Sequence, residues 1–156
     1  MFLDIEDGTL DVRYSITILF WLYYTGHKRD TGIVRYLKQG QSLGMGIFVS
    51  KRTYLQARIV KRDLAKVYTL KGPFSAGSWT FVAITFNQTS SEAKLWIDAV
   101  VANETTIEED IELNTQNHLK IGGSKFKGRI TQLQIYNYPL TKEKIREINE
   151  TFTIPG

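Results

Sequence analysis

The residues with most to offer chemically are cationic, and they are concentrated. Residues 28–71 hold eleven Lys and Arg against Asp30 and Asp63, a local balance of +9, while the rest of the 156-residue chain carries −5 within a total of +4. A molecule polarised in this way attracts polyanions and steers their approach. Between 52 and 62 a period of two sets Arg52, Tyr54, Gln56, Arg58 and Arg62 on one face and Thr53, Leu55, Ala57 and Ile59 on the other. The apolar set is expected to face a core, which leaves the first set in solvent, with Arg35 a further cation of the same region. Guanidinium forks bind sulfate or carboxylate, and Tyr stacks on sugar rings. The same residues also serve to blunt exposed sheets against aggregation, and the two readings carry equal weight.

Carboxylate chemistry is thinner. Asp4 and Glu6 alternate along an extended segment and so share a face, about 6.6 Å apart along the strand, near what a retaining glycosidase pair needs. Gly8 occupies the next alternate position, and the pair sits at a terminus, so surface carboxylates are the expected reading. His27 and His118 belong to no nucleophile elbow, zinc-protease motif or phosphate loop. Calcium takes six to eight oxygens. The run Glu104, Glu108, Glu109, Asp110, Glu112 lacks any such spacing, which leaves Asp30, Asp63 and Asp98 as isolated metal candidates. Without cysteine there is no disulfide, zinc-thiolate or thiol catalysis.

The elements that position these groups read as strands. Segments 2–5, 15–23, 32–37, 43–49, 53–60, 66–70, 79–87, 92–97, 118–121 and 128–136 alternate and are rich in Val, Ile, Thr and aromatics. Asp7-Gly8, Thr25-Gly26, Lys71-Gly72-Pro73, Ala76-Gly77-Ser78 and Gly122-Gly123-Ser124 separate them. Many short strands predict an all-β sandwich or barrel. Both faces of 79–87 are apolar, the mark of a central strand, and Trp21, Trp79 and Trp96 are expected in the core. One helix is predicted at 142–149, capped by Thr141, with Leu140 stapling onto Ile145 and packing across the end of a sheet. The length suits one domain, 1–156, and no repeat or linker interrupts it.

Four motifs occur in a telling order: Gly77-Ser78-Trp79-Thr80-Phe81-Val82-Ala83-Ile84-Thr85-Phe86, Ala93-Lys94-Leu95-Trp96-Ile97-Asp98, Leu119-Lys120-Ile121-Gly122-Gly123, and Phe126-Lys127-Gly128-Arg129-Ile130 running on to Thr141. Together with Ser15 to Leu22 they make the chain resemble, over residues 15–148, the laminin G-like and pentraxin-like jelly rolls of the concanavalin A-like lectin/glucanase superfamily. The resemblance implies a two-sheet antiparallel jelly-roll sandwich with one short C-terminal helix. It also implies a non-enzymatic, lectin-like or cell-adhesion module of extracellular type, sometimes with calcium at the rim. The Gly122-Gly123 bend is expected to need positive φ, and Gly128 to allow close backbone approach. Ala99 stands where the family's turn carries Gly, so a different turn type is expected there.

Three sequons, at Asn87, Asn103 and Asn149, favour a glycosylated, cell-surface or secreted setting. The acid-rich start lacks the pattern of a leader, and the chain is expected to be one module of a larger protein. The longest apolar run, 16–24, is half of what a membrane helix needs, so no membrane insertion is expected. The sequence thus predicts a module that binds a glycan, including acidic or sulfated polysaccharides, through Arg52, Tyr54, Arg58, Arg62 and Arg35. The alternative is a module that binds a cell-surface or matrix protein. Nucleic acid is disfavoured, since no nucleic-acid-binding motif accompanies the basic charge.

Overall fold

A computed structural model describes residues 2–26, 31–38, 44–51, 53–107, 110–123 and 125–152, with the backbone alone for 2–4. Alternation becomes eleven strands: β1 (Phe2–Ile5), β2 (Ile16–Tyr24), β3 (Thr31–Leu37), β4 (Gly46–Ser50), β5 (Tyr54–Val60), β6 (Val67–Pro73), β7 (Trp79–Asn87), β8 (Glu92–Ile97), β9 (Val100–Thr106), β10 (His118–Gly122) and β11 (Gly128–Tyr136). They form two antiparallel sheets, one in the order β1-β10-β3-β4-β5-β6 and the other β11-β2-β7-β8-β9. We refer to these as sheet A and sheet B. The architecture is the expected jelly-roll sandwich, with one helix, α1 (Lys142–Glu150), at the C-terminal end.

The core between the sheets takes alternate residues from each. Sheet B contributes Ile16, Ile18, Phe20 and Leu22 from β2 with Val82, Ile84 and Phe86 from β7; sheet A contributes Ile47, Val49, Leu55, Ala57 and Ile59. The opposite face of sheet B is also apolar: Leu19, Trp21, Phe81, Ala83 and Trp96 are buried under Leu140 and Ile145. This is why both faces of β7 read as apolar. It also corrects the placement of α1, which covers the outer face of sheet B, since Trp21, Phe81 and Trp96 would otherwise lie in water. Phe152 beyond the helix stacks on Trp21 at 3.9 Å between ring centroids and closes that face.

Thr141 caps α1 as predicted, its hydroxyl accepting from the Lys144 N–H at 3.2 Å. Thr141→Ala is expected to cost about 1 kcal/mol, a fall in Tm of ~2–4 °C for a domain of this size, read by thermal unfolding. Gly122 has φ 75° and leads into Gly123 at 150°, so the bend is built as expected. A Cβ on Gly128 would lie 2.1 Å from the Tyr23 carbonyl oxygen, which is the close approach its position suggested. Asp98 and Ala99 take φ of 52° and 63°. Positive φ at both central residues is the type I′ geometry of a tight hairpin. Ala99 accepts the left-handed conformation that a glycine would adopt more readily, with its methyl buried beside the outer cluster of sheet B.

Candidate functional site

With sheet B capped by α1 and Phe152, the broad face left open among the described residues is the outer face of sheet A. Strand register lays out its side chains. Lys120, Arg35, Gly46, Arg58 and Thr69 fall in one cross-strand row. In the next row Gly32 pairs with Phe48, Phe48 with Gln56 and Gln56 with Lys71. Arg35 and Arg58 are two strands apart, ~9.5 Å at ordinary strand spacing, with Gly46 between them. A side chain at Gly46 has no room, since its Cβ would stand 2.2 Å from the Val34 carbonyl oxygen.

Arg35 is the unusual member. A register shift between Gly32 and Val34 lets Ile33 and Val34 both enter the core. Such a bulge re-aims neighbouring side chains, and here it leaves Gly32 and Arg35 on the same outer face. The Arg35 side chain folds back across Gly32: a Cβ on that glycine would lie 2.6 Å from Nη1 and 2.7 Å from Cζ. Its far end reaches Gly123, where a Cβ would stand 3.6 Å from Nη2. The guanidinium thus lies in a pocket of about 200 Å³ lined by Thr31, Gly32, Arg35, Gly122, Gly123, Lys125 and Phe126. No carboxylate lines it among the described residues. Arg35 is half-buried, its Nε is enclosed without a hydrogen-bond partner, and burial pushes its pKa below the ordinary arginine value.

The other predicted residues are dispersed. Tyr54 is exposed at the start of β5, four residues from Arg58, about 13 Å along the strand. Arg58 lies over the Phe48 ring at 4.2 Å, a cation–π contact that shields an aromatic side chain on this outer face. Arg62 lies past the end of β5, in the turn that follows. Its guanidinium forks onto Asp11, Nη1 donating to Oδ1 at 2.9 Å and Nη2 to Oδ2 at 2.7 Å, and Nη1 also donates to the Leu113 carbonyl at 3.1 Å. Thr115 donates its hydroxyl to Asp11 Oδ1 at 2.6 Å. The Arg62 hydrogen bonds hold the Asp11 carboxyl down to about 2, with Thr115 and the Arg13 N–H assisting against partial burial. This cluster ties the start of the chain to the 113–115 segment. Arg52 and Asp30, like His27, lie outside the described residues.

The acids are spread out too. Asp63 accepts the Ala65 N–H at 2.9 Å within its own turn. Asp98 Oδ1 accepts the Phe81 N–H at 3.1 Å and so braces the β8–β9 hairpin. Among the described residues no three acids or histidines gather as a metal site. Glu6 is exposed beyond β1, and Asp4 pairs in register with Lys120. His118 Nδ1 contacts Asp7 on the surface. Of the sequon residues, Asn87 Oδ1 accepts the Thr89 N–H at 3.0 Å, Asn103 Nδ2 donates to the Lys71 carbonyl at 3.2 Å, and Asn149 lies on α1.

A second pocket adjoins the first. Trp79, Ile121, Gly122, Phe126, Gly128, Arg129, Ile130 and Thr131 enclose about 240 Å³ at the end of the sandwich where β10 stops and β7 and β11 begin. Trp79 is half-buried here, whereas the sequence placed it in the core. Lys125 and Arg129 were likewise not singled out. Their only signal is the clustering of Lys125, Lys127 and Arg129 around Phe126, just past the Gly-Gly bend.

Comparison with solved structures finds the same fold. The sialidase carbohydrate-binding module CBM40 of Ruminococcus gnavus, bound to α2,3-sialyllactose, superposes with a TM-score of 0.75 at 15% identity, over 95% of this chain and 96% of that one. The botulinum neurotoxin serotype D ligand-binding domain in complex with N-acetylneuraminic acid gives 0.74 at 16%, over 96% of this chain and 39% of that one. The serotype G binding domain gives 0.71 at 11%, over 96% and 42%. The chain thus spans about two-fifths of the neurotoxin domains, and at these identities the likeness shows the fold alone. No curated protein sequence matches. The family model Laminin_G_3, described as the concanavalin A-like lectin/glucanases superfamily, matches residues 2–146. The chain therefore belongs to the Laminin_G_3 family of the concanavalin A-like lectin/glucanase superfamily.

Proposed function

We propose that this domain is a non-enzymatic glycan-binding module of the cell surface or extracellular space, and that its ligand is an acidic saccharide seated over Arg35. The observation that carries the reading is the half-buried guanidinium, which has no anionic partner among the described residues. Desolvating a charge costs several kcal/mol, and arginine does not shed its proton. A planar carboxylate or a sulfate entering the pocket offsets that cost through forked, charge-assisted hydrogen bonds. Gly32 gives the guanidinium the room it lies in, and Lys125 with the Lys120–Arg58 row extends the positive field. Two structural neighbours hold sialylated ligands, which are carboxylate sugars, and this supports the acidic class.

A glycan array probed at two salt concentrations, with and without calcium, tests the reading. Binding to sialylated, uronate or sulfated glycans, weakened by salt, is expected. Binding confined to neutral sugars, or capture of a protein partner with no glycan bound, would overturn it. Gly32→Ala is a sharper probe: its methyl would take space the Arg35 guanidinium now fills, at a φ any residue adopts. Affinity for an acidic glycan is expected to fall about tenfold, or ~1.4 kcal/mol, while the unfolding midpoint stays close to that of the parent. Titration calorimetry and thermal unfolding check the two halves.

A further inference from the structure

Neither pocket reaches the roughly 300 Å³ at which sites for drug-sized ligands begin; taken together they fall within that range. They share Gly122 and Phe126 as a common wall. On one side stand Arg35 and Lys125; on the other, Trp79, Ile121, Phe126 and Ile130 provide an apolar lining with Thr131 and Arg129 at its edge. No carboxylate lines either chamber among the described residues, so both sit in one positive field. An apolar chamber that shares two lining residues with the pocket of a cation lacking an anionic partner among the described residues is matched by a ligand of the same two-part character.

We infer that the Trp79 chamber is a second subsite, which receives an apolar substituent of the acidic sugar whose anionic group sits at Arg35. This rests on the reading of Arg35 given above. The ligand is then an amphipathic acidic saccharide, whose apolar part is either an N-acyl group or a hydrophobic aglycone. Burial of an apolar group against Trp79 and Phe126 adds affinity in proportion to the area removed from water, and the shared Gly122 and Phe126 make the two chambers neighbours.

Calorimetric titration of the whole chain with two matched pairs of probes tests this. One pair is methyl and phenyl β-glucuronide. The other is the methyl glycoside of N-acetylneuraminic acid and its analogue with a hydroxyl in place of the acetamido group. A gain of about tenfold in either pair is expected. A gain in the first identifies an aglycone, and a gain in the second an N-acyl group. Thr131→Phe, or the milder Thr131→Leu where the larger side chain impairs folding, narrows the chamber. Either variant should erase the gain yet leave methyl glucuronide affinity within about twofold of the parent. The Trp79 indole N–H resonance should shift only with ligands that carry the apolar group. Acid binding without a gain in either pair, or a gain that survives narrowing, overturns the second subsite and leaves the Arg35 reading standing. No binding of any acidic probe overturns both.

Discussion

Arg35→Ala is expected to weaken binding of an acidic glycan by about thirty-fold or more while leaving the fold as stable as before. Truncating one member of a desolvated charge pair in a complex costs about 2–5 kcal/mol, a fall in affinity of roughly thirty-fold to several thousand-fold. Stability moves differently because Arg35 forms no ion pair among the described residues, and its Nε is enclosed and unpartnered. Its removal ends a desolvation cost and breaks no ion pair among those residues. Arg35→Lys keeps the charge but loses the planar fork, so an intermediate affinity is expected. Titration calorimetry with a sialylated ligand, beside denaturant unfolding of each variant, separates these effects. An Arg35→Ala variant that unfolds early would mark Arg35 as structural.

Arg62→Ala gives the opposite pattern. This guanidinium is paired, its side chain 20% exposed and that of Asp11 22%. Loss of the fork strands the Asp11 carboxylate and leaves the Leu113 carbonyl without its 3.1 Å donor. About 2–3 kcal/mol of stability should go, somewhat under the figure for a fully buried pair, and Tm should fall by ~4–10 °C. Acidic-glycan affinity should stay within about twofold. The cluster also predicts a pH dependence of defined sign. The Asp11 carboxyl is held at about 2 in the folded protein against 3.8 ordinarily, so the unfolded state binds the proton more readily. The contribution, on the order of 2 kcal/mol, is complete above about pH 5 and is lost as the pH falls through 4 towards 2. The stability gap between the parent and Asp11→Asn should therefore narrow over that window. Urea unfolding at pH 6, 4 and 2.5 checks it; a constant gap would show that the fork does not act through the carboxylate charge.

Arg35 and Arg62 also show what the sequence could and could not reveal. Alternation placed Leu55, Ala57 and Ile59 in the core and Tyr54 and Arg58 outside, because one buried face suffices to set strand parity. Parity fails for Arg62 because β5 ends at Val60. Lys61 forms only an isolated bridge to Leu113, and the chain has turned before Arg62. Its partner Asp11 is 51 residues away, beyond the reach of any local pattern. The edge strand β9 was missed for a related reason: its residues alternate between exposed and half-buried, so neither face is apolar enough to signal a strand. Thr141 and Leu140 announced the helix, but the sheet face it covers is set by Trp21, Phe81 and Trp96, each on a different strand. The pocket around Arg35 was the least legible feature. It depends on a bulge in β3 and on Gly122 and Gly123 arriving from a strand some ninety positions later, a juxtaposition that only the sheet order supplies.

The most direct test of the central claim is to watch the Arg35 side chain itself. In ¹⁵N-resolved NMR of the arginine Nε–H groups, titration with α2,3-sialyllactose should shift the Arg35 signal saturably, and lactose at equal concentration should leave it in place. The Arg62 signal, locked on Asp11, should move with neither. A saturable shift at Arg35 with the acidic sugar alone is the predicted result. Sialyllactose binding that leaves the Arg35 resonance unchanged would contradict the account.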